Sequence, residues 1–278
     1  MKYNDPIYQD REQGFDGCVD EISALKRVEI NCVELCNRKC VFCPRVDPEI
    51  YPNRDLHMTH DTIHNLCLGL EDVTFSGRVT FSGMGEPLLH QDIYMLVSEV
   101  RAMVTNVSRV QVITNGDKLT SSVVSKLIDS GVDRIEVNLY DGPHQIENVE
   151  ACFSHVNPDI CILRHHYHGP EKTYGLIVNN RAGAVDMGGP PAQGECYLPF
   201  YKLVIDWNGD VLLCSQDWLH ESKLSLNINE MNIKDIWLSK QLNNYRENLK
   251  RGDRCDSPCV NCNVNGTVYG KQAFDVFK

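Results

Sequence analysis

The sequence predicts an α/β protein whose strands run parallel, in an open sheet or a barrel. Two observations lead there. From residue 27 onward, short apolar runs alternate with amphipathic helical stretches, and each strand–helix unit is long enough to bring the chain back alongside itself. A third observation concerns organisation: the Gly188-Gly189-Pro190-Pro191 break sets apart a differently patterned C-terminal segment.

Each element carries its own signal. Arg27–Ile30 is a short apolar run of strand type, and residues 77–82 form the next one. Residues 93–104 follow with helical periodicity. Arg109–Thr114 reads as a strand, after which Thr120 is placed to cap a helix running to Ser130. Arg134–Leu139 is another strand, then come a helix over 146–156 and a strand over 160–163. Functional residues in such folds gather at the C-terminal ends of the strands. Beyond the break, residues 203–213 read as a hairpin about Asn208-Gly209, and 233–249 as one helix.

Composition narrows the function. A chain of 278 residues, 42% hydrophobic and 23% charged, suits one large or two ordinary globular domains. Its net charge of −11 argues against nucleic acid or an anionic membrane surface as the main partner. No apolar run approaches the roughly 20 residues that span a bilayer. Met1 to Gly17 is polar and acidic, without the apolar core of a signal peptide. Thirteen cysteines with no export signal read as metal ligation in a cytoplasmic protein.

The densest chemistry follows the first strand, in Cys36-Asn37-Arg38-Lys39-Cys40-Val41-Phe42-Cys43. Three thiolates at Cys-x3-Cys-x2-Cys spacing are able to ligate three irons of a 4Fe–4S cube and leave the fourth without a protein ligand. Clusters are usually held by four cysteines, so an open iron is a place where a small molecule chelates. A zinc knuckle is the alternative. It needs a fourth ligand to close its tetrahedron, and Cys32 is available for that.

This loop and the elements after it resemble the radical S-adenosylmethionine superfamily, over most of the chain from Arg27 on. Phe42 stands where that superfamily carries an aromatic residue beside the adenine. Gly83-Met84-Gly85-Glu86-Pro87 follows the second strand, at the place of the motif that receives the amino group of the cofactor. Glycines open backbone carbonyls to an ammonium, and Glu86 adds a charge-assisted hydrogen bond. Thr114 and Asn115 end the third strand and Asn138 the fourth, where polar tips suit ribose and carboxylate. The resemblance therefore implies a partial (β/α)6 TIM-like barrel over residues 26–187. It also implies S-adenosyl-L-methionine bound through Phe42, Gly83, Gly85, Glu86, Thr114, Asn115 and Asn138, and a first 4Fe–4S cluster on Cys36, Cys40 and Cys43.

The C-terminal segment holds five more clustered cysteines: Cys196, Cys214, Cys255, Cys259 and Cys262. Four suffice for a closed 4Fe–4S cluster, and four also suffice for one zinc ribbon. The layout resembles the shortened, or twitch, form of the SPASM auxiliary-cluster domain, placed here at residues 188–278. That pattern implies Cys196, Cys214, Cys259 and Cys262 as ligands of a second cluster and leaves Cys255 spare. Cys18, Cys67, Cys152 and Cys161 are scattered and read as ordinary thiols. His165, His166 and His168 read as a polar strand end.

Within the superfamily, the nearest resemblance is to enzymes that oxidise a secondary alcohol of an aminocyclitol with one auxiliary cluster. It rests on Gly85-Glu86-Pro87-Leu88-Leu89, Thr114-Asn115-Gly116-Asp117, Asn180-Arg181-Ala182-Gly183, Asp235-Ile236-Trp237 and the final Cys-x2-Cys. It implies an oxidoreductase that takes hydrogen from a hydroxyl-bearing carbon of a small polyol or amino sugar and yields a ketone. The auxiliary cluster accepts the electron, and reduced flavodoxin or ferredoxin supplies the first one. Arg181 matches an arginine placed at the substrate. Its pKa above about 12 makes it an electrostatic group rather than a base. Glu29 and Gln216 are the other substrate candidates. Ser215-Gln216 and Met84 depart from the pattern, so the chemistry carries over more readily than the substrate. Two other functions stay open. One is a peptide-modifying radical enzyme, for which the roughly 25 residues before the first strand are too few to form a docking domain. The other is a non-enzymatic zinc or electron-transfer protein, which has no use for Gly85-Glu86-Pro87.

Overall fold

The computed structural model describes residues 10–11, 13–166, 179–222 and 224–277. Strands and helices alternate as expected: β1 (Arg27–Ile30), α1 (His60–Asp72), β2 (Arg78–Phe81), α2 (Ile93–Met103), β3 (Arg109–Thr114), α3 (Ser121–Asp129), β4 (Arg134–Leu139), α4 (His144–Phe153) and β5 (Cys161–His165). Then come α5 (Leu198–Tyr201), β6 (Lys202–Ile205), β7 (Val211–Leu212), α6 (Ile233–Trp237), α7 (Lys240–Lys250) and α8 (Lys271–Val276). The strands form one sheet in the order β5-β4-β3-β2-β1-β6-β7. All neighbours are parallel except β6 and β7. The sheet is open and does not close into a ring.

Local sequence explains the helices. Thr59 caps α1 by accepting from the Thr62 N–H, and Ile63, Leu66, Cys67 and Leu70 then fall on one buried face. Thr120 caps α3 through the Val123 N–H, as its position predicted. These faces cover the outer side of strands whose Val79, Phe81, Val110, Val112, Ile135 and Val137 are fully buried. Strands buried on both faces are a property of parallel sheets under helices.

Two expectations change and one gains a partner strand. Residues 233–249 are two helices, because Ser239 accepts from the Leu242 N–H and starts α7 afresh after α6 has ended. The helix expected over 146–156 begins at His144 and stops at Phe153. The hairpin over 203–213 forms, yet β6 also pairs with β1 along its whole length, Ile30 opposite Ile205. Residue 188 is therefore no break in the sheet: the segment beyond it supplies two of the seven strands. His168 lies outside the described residues.

Candidate metal centres

The first cysteine loop leaves β1 and is pinned by its own polar residues. Arg38 Nε donates to Asp117 Oδ2 at 2.7 Å and Arg38 Nη1 to Asp141 Oδ1 at 2.9 Å, reaching the ends of β3 and β4. Asn115 Nδ2 donates to Asn37 Oδ1 at 2.8 Å. Asn53 grips the Cys36 backbone from both sides, at 2.9 and 3.0 Å. Arg45 Nε donates to the Met84 carbonyl at 2.6 Å. The three thiols are half-buried. Burial, and then the charges of Cys43 and Cys36, push the Cys40 thiol up to about 11. A bound metal ion reverses such a preference, because its positive charge favours the thiolates.

Among the described residues, no three cysteine sulfurs lie within 4.8 Å of one another. A single zinc with bonds of about 2.3 Å would hold its sulfurs roughly 3.8 Å apart. Cys32, the possible fourth zinc ligand, is instead 1% exposed within the apolar core.

The C-terminal cysteines meet in a different setting. Cys196, Cys214, Cys259 and Cys262 all line one small cavity, with Leu198, Leu213 and Val264 among its apolar walls. Burial raises all four thiols. That of Cys259 reaches about 12, with the charges of Cys196 and Cys262 adding to the burial. Arg254 fastens this pocket by donating to the carbonyls of Gly194, Glu195 and Val264 at 2.9, 2.8 and 3.1 Å. Cys255 is exposed and does not line the cavity. Ala182 and Gln216 do line it, and Gln216 Oε1 is buried without a hydrogen-bond partner.

Between these sites lie the strand ends. Glu86 is buried and accepts from Thr114 Oγ1 at 2.6 Å, the Asn115 N–H at 2.8 Å and the Leu88 N–H at 3.1 Å. Burial nevertheless pushes its carboxyl up to about 7, against the pull of those donors. The Thr114 hydroxyl is thus engaged inside the protein as a strut for Glu86. Asn31 shapes the glycine turn by accepting from the Met84 and Gly85 N–H groups at 2.8 and 3.0 Å. Gly83 has φ +114°, and a Cβ on Gly85 would sit 1.8 Å from the Val33 carbonyl oxygen, so both glycines are required by the loop itself.

Phe42, Tyr140 and His166 form an aromatic shelf, with ring centroids 5.4 Å (Phe42–Tyr140), 5.0 Å (Tyr140–His166) and 6.2 Å (Phe42–His166) apart. His166 Nε2 pairs with Asn138 Oδ1 at 2.9 Å. Burial, and then Arg164 and other arginines, push the ring down to about 3, so it is neutral. Arg181 lies 5.9 Å from the Trp218 ring, and its Nε is buried without a hydrogen-bond partner. Burial lowers its pKa, opposed by the charges of Cys43 and Tyr140. Glu29 is already partnered, by Lys202 Nζ at 2.7 Å. Burial favours the neutral carboxyl, but Lys202 wins and holds it below its usual range.

Sequence reasoning thus placed the cysteines and strand-end polar groups together. It missed Arg38, Arg45, Asn31, Asn53, Tyr140, Lys202 and Arg254. Only Arg38 had a visible signal, its place inside the cysteine loop.

The chain carries a radical S-adenosylmethionine domain followed by an auxiliary iron–sulfur cluster-binding domain. Residues 30–151 match the Radical SAM superfamily and residues 196–263 the SPASM iron–sulfur cluster-binding domain. Together these imply a 4Fe–4S cluster with S-adenosylmethionine and an auxiliary iron–sulfur cluster. Across 92% of its length the chain is 27% identical to the S-adenosyl-L-methionine-dependent 2-deoxy-scyllo-inosamine dehydrogenase of Niallia circulans, covering 99% of that protein. The crystal structure of BtrN in complex with AdoMet and 2-DOIA superposes with a TM-score of 0.76 at 26% identity, over 89% of this chain and 96% of that one. Native anSMEcpe with bound AdoMet and Kp18Cys peptide shares the fold alone, with a TM-score of 0.53 at 12% identity over 90% of this chain and 96% of that one.

Proposed function

We propose that this protein is a dehydrogenase that oxidises a hydroxyl-bearing carbon of a small polyol or amino sugar to a ketone. The observation that carries the reading is Arg181. It is a half-buried arginine whose Nε is buried without a partner, close enough to the first cysteine loop to feel Cys43, and followed by Ala182, which lines the second cysteine cavity. The full-length similarity to a dehydrogenase of 2-deoxy-scyllo-inosamine supports it.

In this reading, Cys36, Cys40 and Cys43 hold the first cluster, and Cys196, Cys214, Cys259 and Cys262 the auxiliary one. The organisation is a substrate-activating unit over 26–187 and an auxiliary unit over 188–278. When bound, the first cluster with S-adenosylmethionine supplies a hydrogen-atom acceptor, and the auxiliary cluster supplies an electron acceptor. The chain supplies position and dryness. Gly83, Gly85 and Glu86 receive the cofactor's ammonium, with Thr114 and Asn115 fixing the Glu86 rotamer. Phe42 stacks on the adenine, extended by Tyr140 and His166, while Asn138 stays available to the ribose. Arg181 donates to the substrate hydroxyl oxygen and favours loss of its proton as the carbon is oxidised. Glu29, steadied by Lys202, and Gln216 hold the remaining polar groups of the substrate. Flavodoxin or ferredoxin is the electron donor, and the enzyme works in the cytoplasm. No helix among the described residues is long and apolar enough to cross a membrane.

The test is Arg181→Ala in protein carrying both clusters, with 2-deoxy-scyllo-inosamine and related polyols as substrates. Iron content and uncoupled formation of 5′-deoxyadenosine should be retained, while ketone product falls by about 10²-fold, as for a lost transition-state donor. Unchanged ketone yield removes Arg181 from the site. Turnover of a peptide instead of any polyol overturns the substrate class.

A further inference from the structure

Where β1 and β6 end side by side, three ligand-bearing residues converge that nothing in the proposed reaction employs. Glu34 lies just past β1, Asp206 directly follows β6, and His220 sits in the loop after β7. One carboxylate oxygen of Glu34, one of Asp206 and an imidazole nitrogen of His220 all lie within 4.8 Å of one another. The local sequence builds this meeting. Asp217 accepts from the Glu221 N–H at 2.8 Å, and the turn it closes carries His220 at φ +52°, a left-handed conformation rare for residues other than glycine.

The decisive atom is Asp206 Oδ2. Asp206 is 1% exposed, and its Oδ1 already accepts from Asn31 Nδ2 at 2.6 Å and from the Trp207 N–H at 2.9 Å. Oδ2 has no hydrogen-bond partner and faces His220 Nε2 at 3.5 Å. Glu34, also buried, has only the Tyr51 hydroxyl on its Oε1, at 2.9 Å. Two adjacent buried carboxylates, one with an orphaned oxygen, are unfavourable when both are ionised, and a cation within reach of all three ligands relieves that cost. Access exists as well: Glu34 and His220 line an open pocket with Tyr51, Arg54 and Trp218.

We propose that Glu34, Asp206 and His220 bind a divalent first-row transition cation such as Mn²⁺ or Zn²⁺. Two carboxylate oxygens and one imidazole nitrogen suit such an ion, with water from the cavity filling its other positions. With no thiolate in the set, the site is chemically distinct from both cysteine centres. Its occupation ties the ends of β1 and β6 to the loop that carries Gln216 and Trp218.

The experiment uses the full chain with both clusters loaded and oxidised, washed with chelator and titrated with Mn²⁺ alone. The free-ion electron paramagnetic resonance signal reports binding. The expected result is one Mn²⁺ bound per chain, weakened by about tenfold or more in His220→Ala, with iron content and cluster absorbance unchanged. Asp206→Asn should weaken it likewise. Because Asp206 also holds Asn31 and Trp207, the variant at the exposed His220 is the deciding one. Absence of stoichiometric Mn²⁺ binding, or binding that His220→Ala leaves unaltered, overturns the proposal.

Discussion

The two cysteine centres are built on opposite plans. The first lies on a loop held by charged and amide side chains, with Arg38 clamped between Asp117 and Asp141 and Asn37, Asn53 and Asn115 around it. The second lines a cavity whose walls are mostly apolar, and its nearby arginine, Arg254, spends its N–H groups on backbone carbonyls. The proposed ligand sets, three cysteines at the first centre and four at the second, account for the difference. A centre with three cysteines leaves a coordination position for a small molecule, and polar neighbours are there to recognise it. A centre with four cysteines is closed, and dry walls suit a group that only passes electrons.

That contrast is open to direct attack, and the largest effect belongs to the first centre. Cys40→Ala should abolish cleavage of S-adenosylmethionine and leave about half the iron, on the other centre. Continued release of 5′-deoxyadenosine by this variant would erase the distinction. Cys262→Ala should do the reverse. Cleavage continues, while ketone formation falls by about 10²-fold or more, since even the loss of a supporting contact to a metal ligand costs up to that much. Equal loss of both activities would mean that the two centres are not separable.

The Glu86 carboxyl offers a smaller and more quantitative probe. Its pKa is pushed up to about 7 by burial from an ordinary 4.5, so between those values the folded chain keeps a proton that the unfolded chain has released. Stability contributed by that proton is full at low pH and is lost as pH rises through the window. The loss is up to about 3 kcal/mol, at roughly 1.4 kcal/mol per unit. In cluster-loaded protein without S-adenosylmethionine, Glu86→Gln should flatten this part of the curve of denaturation midpoint against pH. Parallel curves for the two proteins would show that Glu86 is ionised throughout. The smallest effect is expected at the exposed Cys255, where alanine should change iron content and product yield by less than about twofold.

Legibility in the sequence varied with the kind of signal. β1, β3 and β4 were readable to the residue, because short runs that alternate apolar with polar residues between turns leave little freedom. The break between α6 and α7 was not, since Ser239 looks like any helix surface residue until its hydroxyl is seen capping Leu242. The hairpin of β6 and β7 announced itself through Asn208-Gly209, but a hairpin says nothing about which third strand it will join. At the sites, cysteine spacing was legible because metal ligation constrains residue type. Asn31, Asn53 and Arg45 were not, because their task is to hold backbone that is distant in sequence, and any polar loop residue looks the same beforehand.

The pairing of β1 with β6 also sets a timetable. Arg27–Ile30 finds its second neighbour only at Lys202–Ile205, and Glu29 waits for Lys202 across 173 positions. At translation rates of about 5–20 residues per second, that interval lasts roughly 10–35 s. For all of it, one side of β1 presents bare N–H and C=O groups just ahead of the first cysteine loop. A chain interrupted at the Gly188 break would keep that side bare permanently, as an exposed edge open to self-association. The first cysteines come early in the chain, but the sheet that supports their loop is completed only once the C-terminal segment has been made.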